Sequence, residues 1–169
     1  ATAYTGQNGT GTQAFTVANQ IAVTVGGGGS SVGLNKTKVL KAARLLNAAE
    51  VDKEDRYAVV SAIQLEDLLN TTEVASSDYN SVKALVQGEV NTWIGFTFKH
   101  SERLSTSSSN RLCYFWQKKA IQLAIAKEAE GRITERPDKN YAWQVYMRIS
   151  LGATRLEEAR ITEVACAES

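Results

Sequence analysis

The sequence from Tyr141 to Leu151 alternates between two kinds of side chain. Its odd positions hold Tyr, Trp, Val, Met, Ile and Leu, whereas its even positions hold Ala, Gln, Tyr, Arg and Ser. A period of two predicts a half-buried β-strand. At about 3.3 Å per residue the strand would span roughly 36 Å, about twice the usual length. In a chain of 169 residues, such a strand is expected to connect two subregions or to run along an extended arm.

Two segments nearer the N-terminus carry other patterns. Apolar residues recur at helical spacing across residues 35–50, which predicts a helix capped by Asn35 or Thr37. The basic residues of this helix lie mostly off the apolar stripe, so we expect a solvated face. Residues 56–60 indicate a short buried strand, and residues 61–64 have the form of a capping box that begins a second helix.

The remaining segments complete a mixture of helices and strands. The glycine-rich residues 1–33 are expected to be largely flexible. The serine-rich residues 101–110 predict an exposed loop. Residues 120–126 fit a strand or a helix equally well, and residues 132–135 and 161–166 predict strands. The fold class predicted from these segments is α+β.

The composition excludes several kinds of functional site. Nineteen Lys and Arg nearly balance 18 Asp and Glu, which argues against a dedicated nucleic-acid-binding protein. One histidine and two cysteines are too few for a Cys/His zinc site, and the cysteines are expected to be free thiols. His100 and Ser101 would point to opposite faces of a strand, so they do not form a nucleophile and base. We therefore expect no catalytic, cofactor-binding or metal-binding residues and no membrane span.

Local charge leaves two kinds of function open. Residues 99–119 carry five cations against Glu102, and residues 152–169 carry four glutamates against two arginines. Opposite local charges in a neutral chain suit self-association. The basic segment, with the aromatic residues 114–116 inside it, also leaves a small α+β module that binds nucleic acid or another protein as the alternative.

The order of the segments resembles the C-terminal part of tailed-bacteriophage major capsid proteins of the Hong Kong 97-like fold. No single segment is diagnostic, and the last one contributes most to the resemblance. The segments that carry the resemblance are residues 37–46, 56–61, 64–69, 77–80, 93–96 and 132–158.

The resemblance implies a subunit in two parts. Residues 1–33 would be a flexible N-terminal segment, residues 34–50 the spine helix of a peripheral domain, and residues 51–140 an axial domain. Residues 141–169 would return the chain to the peripheral domain. Members of the family carry an N-terminal arm and an extended hairpin before the spine helix, so the sequence is expected to be a fragment.

The resemblance also implies the partners. The full-length protein would form pentamers and hexamers of a shell, with a possible scaffolding protein, around DNA packaged without sequence specificity. It would reside in the virion, and in the host cytoplasm before assembly, while the fragment alone would be monomeric or weakly associated. The candidate subunit-contact residues are Arg103, Ser105, Ser107, Asn110, Arg111, Glu157 and Glu158.

Overall fold

The computed structural model describes residues 3–5, 11–70, 77–87 and 91–168. Within these ranges the helices are α1 (Lys36–Ala48), α2 (Ala62–Asn70) and α3 (Ser77–Val86). The strands are β1 (Ala3–Thr5), β2 (Gly11–Gln13), β3 (Gln20–Ile21), β4 (Arg56–Val60), β5 (Thr92–Trp93), β6 (Phe96–His100), β7 (Thr106–Ser107), β8 (Asn110–Gln117), β9 (Ile121–Arg136), β10 (Ala142–Arg155) and β11 (Ile161–Ala167). This mixture of elements confirms the predicted α+β class.

Seven strands form a central mixed sheet. Six of them follow the order β3-β11-β8-β4-β6-β5, and β7 pairs with β8. β3 runs parallel to β11 and β4 runs parallel to β6, while the other pairs are antiparallel. β4 and β11 confirm the strands predicted for residues 56–60 and 161–166.

The main core lies between the central sheet and its helices. Val39, Ala42 and Leu46 repeat at helical spacing along α1 and are fully buried, as the apolar stripe predicted. α1 lies against β11 and β3. On the sheet, the rings of Phe96 and Phe115 meet edge to face, with centroids 5.0 Å apart and planes at 85°.

The segment before α1 is more ordered than its composition predicted. Ile21 in β3 is buried in the core, so this part of residues 1–33 is an ordered strand. A local glycine run does not exclude a strand that pairs with the distant β11. Residues 1–2 and 6–10 lie outside the described residues.

Asn35 is the N-cap of α1, which confirms one of the two predicted caps. Its side chain accepts a hydrogen bond from the backbone N–H of Lys38 at 2.9 Å and donates to the carbonyl of Val25 at 3.0 Å. Lys38 itself is fully buried, although its helix face was expected to be solvated. Its Nζ donates to three backbone carbonyls, those of Val32 at 2.6 Å, Gly33 at 2.9 Å and Ala165 at 2.9 Å.

The capping box predicted at residues 61–64 is wrong. The hydroxyl of Ser61 is buried without a hydrogen-bond partner among the described residues. The Gln64 side chain instead accepts from the backbone N–H of Leu34 at 2.9 Å and donates to the carbonyl of Ala167 at 3.2 Å. The first N–H of α2, that of Ala62, donates to the carboxylate of Glu102 at 2.8 Å.

β9 and β10 form a separate two-stranded antiparallel sheet, which we call the ribbon. Its pairing extends from Ala142 opposite Arg136 to Arg155 opposite Ile121, with register shifts between Arg148 and Leu151. The segments 120–126 and 132–135 are both parts of β9, so the first is resolved in favour of a strand.

The predicted long strand is confirmed as β10, but its half-buried character is wrong. Residues 142–154 are exposed on both faces of the two-stranded ribbon. Trp143 is 72% exposed and Met147 is 75% exposed. The alternation indicated the strand correctly, whereas the element that would bury its apolar face is not in the described part of the chain.

Candidate subunit-contact surfaces

The loop that joins β6 to β8, together with the first two residues of β8, holds five of the seven predicted contact residues. Arg103, Ser105 and Ser107 are exposed, and Asn110 is half-buried. β7 pairs with the start of β8 through Ser107 and Asn110, so the loop ends in a tight hairpin. The two residues between them have positive φ, as a type I′ turn requires. The predicted exposed loop is therefore confirmed, with one short hairpin inside it.

Arg111 contacts its own chain rather than solvent. Its Nε donates to the carboxylate of Glu168 at 2.6 Å, and its Nη1 donates to the carbonyls of Leu104 at 3.1 Å and Glu102 at 3.2 Å. Arg111 thereby holds the first half of the loop against the end of β11.

Glu157 and Glu158 lie away from this loop. In the antiparallel pair of β8 and β11, Asn110 lies opposite Ala167 and Trp116 lies opposite Ile161, so the glutamates follow the other end of these strands. Glu157 pairs with Arg160, and Glu158 accepts a hydrogen bond from the backbone N–H of Thr16. The structure thus brings the five loop residues together and separates both glutamates from them.

The basic segment 99–119 is partly neutralised within the chain. Lys118 Nζ lies 3.8 Å from Asp55, and Lys119 Nζ lies 3.2 Å from Asp52. Arg111 pairs with Glu168 as described above. Three of the five cations therefore have acidic neighbours, which weakens the observation behind the nucleic-acid-binding alternative.

One face of the ribbon is a continuous apolar surface. Directly paired residues of an antiparallel sheet project to the same face, and the register pairs Val145 with Ile133 and Leu151 with Ile125. Together the side chains expose on the order of 1,000 Å², against roughly 300–600 Å² for the largest patch of a typical monomer. This apolar face consists of Leu123, Ile125, Ile133, Trp143, Val145, Met147, Ile149 and Leu151.

The opposite face of the ribbon is polar. Glu130 lies between two cations: its carboxylate is 3.2 Å from Arg132 Nε and also contacts Lys127 Nζ. Gln144, Tyr146 and Arg148 line the same shallow depression beside them. The two faces therefore differ sharply in chemistry, as the alternation of the sequence requires.

The histidine and the two cysteines, which are the residues most suited to catalysis or metal binding, make structural contacts. His100 Nε2 lies 2.8 Å from Glu102, whose carboxylate also caps α2. The Cys113 and Cys166 thiols are free and buried, and their mutual hydrogen bond, followed by burial, raises the pKa of Cys113. Within the described ranges, no group of three or more His, Cys, Asp or Glu side chains is arranged to hold a metal ion. No helix there is long and apolar enough to cross a membrane.

Sequence reasoning missed the apolar face as a surface and the role of Arg155. The alternating sequence indicated that the strand has an apolar face, but this face was predicted to be buried against the rest of the chain. Arg155 contacts residues 13–15, more than a hundred positions earlier, and no local pattern indicates such a contact.

Solved phage structures share this fold at low sequence identity. A chain from Mycobacterium phage Che8 matches with a TM-score of 0.59 and 14% identity, over 75% of this chain and 46% of that one. The capsid structure of cyanophage P-SCSP1u gives 0.61 and 20%, over 79% and 46%. The capsid asymmetric unit of cyanophage Pam1 gives 0.60 and 14%, over 80% and 47%. The present chain thus spans less than half of each solved chain.

The sequence comparisons point the same way. No curated protein matches this chain at a significant level. The family described as phage capsid protein matches residues 1–168, which is nearly the whole sequence. The chain therefore belongs to the phage capsid protein family, and its fold is the capsid fold that the resemblance to Hong Kong 97-like proteins implied.

Proposed function

We propose that this chain is part of a structural subunit that assembles with copies of itself into a phage shell. The observation that carries the proposal is the family match over residues 1–168. The exposed apolar face of the ribbon supports it, because a surface of that size is typical of a packing or interaction site. The subunit would act by repeated contacts and without catalytic turnover, in the virion and, before assembly, in the host cytoplasm.

The two parts of the subunit are best divided at the base of the ribbon. α1 was expected to be the spine helix of the peripheral domain, yet its apolar residues are already buried on the central sheet. These residues are therefore not available to cover the ribbon. We propose that the central sheet with its three helices is the axial part, and that residues 121–155 belong to the peripheral part.

The dimensions of the apolar face favour one long helix as its cover. Two strands about 4.8 Å apart give a face about as wide as one α-helix, whose diameter is roughly 10 Å. The 14 residues of β10 extend about 46 Å at about 3.3 Å each, and an amphipathic helix of about 30 residues has this length. From the shares of each chain that are matched, the solved chains are about 1.6 to 1.7 times as long as this one, so a complete subunit has room for such a helix.

The remaining partners follow from the proposed shell. The loop 101–110 would lie nearest the five-fold and six-fold axes, where Arg103, Ser105 and Ser107 are free to contact neighbouring copies. A scaffolding protein and DNA packaged without sequence specificity are the other proposed partners.

The test compares two aspartate substitutions on opposite faces of the ribbon in the complete capsid protein. Val145→Asp places a charge on the apolar face, and Gln144→Asp places the same charge on the polar face. Because both side chains are exposed in this chain, each variant of the chain alone should keep its free energy of unfolding within about 0.5 kcal/mol. By electron microscopy, the wild type and Gln144→Asp should form particles, whereas Val145→Asp should not.

Two outcomes would count against the proposal. Normal particles from Val145→Asp would show that the apolar face is not buried in the shell. A complete wild-type protein that forms no shells or capsomers, with or without scaffolding protein, would remove the shell function itself.

A further inference from the structure

The ribbon joins the rest of the chain through two short connections. Residues 118–120 lead from β8 into β9, and residues 156–160 lead from β10 into β11. A backbone hydrogen bond, from the N–H of Leu156 to the carbonyl of Ala120 at 2.9 Å, ties these connections to each other. Two strands held only at one end can change their angle to the central sheet unless another contact braces their base.

Arg155 provides such a contact at the last residue pair of the ribbon. Its Nη2 donates to the carbonyls of Gln13 at 3.0 Å and Ala14 at 3.1 Å. Its guanidinium lies over the ring of Phe15, 4.9 Å from the centroid. The side chain is only 10% exposed. Residues 13–16, which we call the strap, therefore lie at the base of the ribbon, where Arg155 contacts three of them.

The other end of the strap is held by the connection into β11. The backbone N–H of Thr16 donates to the carboxylate of Glu158, which lies 3.9 Å from Arg155 Nη1. Asn19 Nδ2 donates to the backbone carbonyl of Glu158 at 2.9 Å. Glu158 was predicted to contact a neighbouring subunit, but here it links the strap to the chain that leaves the ribbon.

A small second core completes the brace. Phe15 from the strap packs with Ala120 of the first connection, with Ile161 at the start of β11, and with the partly buried Tyr114 and Trp116 of β8. The ring of Phe15 therefore contacts the cation of the ribbon on one side and the end of the central sheet on the other. The charged, aromatic and backbone contacts of the strap all converge on the point where the ribbon would bend.

We propose that Arg155 is a positioning residue that fixes the angle between the ribbon and the central sheet by clamping the strap. A planar guanidinium suits this role, because its flat face can stack on a ring while its N–H groups donate in the plane to two carbonyls, whereas an ammonium has no flat face. The consequence for assembly rests on the proposed function: ribbon and sheet would contact different neighbouring copies, so their angle would set the curvature of the shell. The clamp itself requires only this chain.

The test measures the angle directly in the chain as it exists. Cysteines replacing Asn47 in α1 and Lys139 at the ribbon tip carry spin labels, and pulsed electron paramagnetic resonance gives the distribution of distances between them. The native thiols are buried and should not react. Arg155→Ala should broaden the distribution relative to the wild type, and Arg155→Lys should broaden it less. The matched control is Arg132→Ala, which removes an exposed cation of the same ribbon.

A second measurement covers the case in which Arg155→Ala fails to fold. In Arg155→Lys, the amide of Thr16 should exchange with solvent about tenfold faster, while core amides of β4 and β8 should keep their rates. A folded Arg155→Ala protein with an unchanged distance distribution overturns the proposal. If that variant is unfolded, unchanged exchange at Thr16 in Arg155→Lys overturns it. Neither result depends on shells, so the clamp and the proposed shell function fail separately.

Discussion

Gly26 lies in the turn before α1 at a position that only glycine fits. Its φ is +84°, and a Cβ there would lie 2.5 Å from Nδ2 of Asn35, the cap of the helix. Gly26→Ala therefore combines a left-handed backbone, which costs about 1–2 kcal/mol, with a displaced cap worth about 0.5–2 kcal/mol. Urea denaturation should show a loss of roughly 2–3 kcal/mol in the free energy of unfolding.

Gly28→Ala is the matched control for this prediction. Its φ is also positive, at +61°, but a Cβ there would meet nothing within 4 Å. The loss should be about 1 kcal/mol, from the backbone alone. Equal losses in the two variants would contradict a role of Gly26 in seating the Asn35 cap.

Single residues could be predicted where their partners are close in sequence. The side chain of Asn35 caps α1 by accepting a hydrogen bond from Lys38, only three residues away, and the sequence indicated this cap. Lys38 was predicted to lie on a solvated face, and its burial was missed. Two of its three carbonyl partners belong to an irregular loop, and the third, Ala165, lies 127 positions further along the chain. The sequence contains no local signal for such a bond.

At the scale of elements, α2 is tied to the loop after β6 by one carboxylate. The hydrogen bond from the Ala62 N–H, and then the contact with His100, hold the pKa of Glu102 below its usual 4.5. A carboxyl with a lowered pKa in the folded state stabilises the fold above about pH 4.5, and this contribution disappears as the pH falls through the lowered pKa. The wild type should therefore lose stability as the pH falls below about 5.

Glu102→Gln should be less stable than the wild type at pH 7 and should lose less stability across the same acid range. Urea denaturation at several pH values measures both effects. Glu128→Gln, which changes an exposed carboxylate of β9, should follow the wild-type curve. Parallel curves for Glu102→Gln and the wild type would show that Glu102 does not contribute to the acid sensitivity.

The elements themselves differed in how far the sequence could predict them. β10 was predicted because alternation is a property of neighbouring residues, and the local apolar spacing likewise predicted α1. Segment 120–126 was ambiguous because its strand character depends on pairing with β10, some thirty positions later. The loop 101–110 was correctly predicted as exposed. The bond that holds it through Arg111 was not predicted, because its partner Glu168 follows the distant strand β11.

At the scale of the whole molecule, the sequence could not predict what buries the apolar face of the long strand. An alternating strand implies a cover for its apolar face, but its pattern cannot say whether the cover belongs to the same sheet, to another element or to another chain. In this structure the ribbon is a separate sheet from the central one, and the large side chains of its apolar face are exposed. The chain alone therefore exposes an apolar surface to water, which is unfavourable in free energy.

This exposure predicts weak self-association of the chain in solution. Eight large apolar side chains on one face should drive concentration-dependent contact between copies, which favours the weakly associated form of the two that the resemblance implied, monomeric or weakly associated. Met147→Lys puts a charge in the middle of the apolar face, and Ser150→Lys puts the same charge on the polar face. By light scattering at micromolar concentrations, the apparent mass should rise with concentration for the wild type and Ser150→Lys and stay constant for Met147→Lys. A wild type that remains monomeric throughout would show that the apolar face alone is not adhesive and that assembly requires the rest of the subunit.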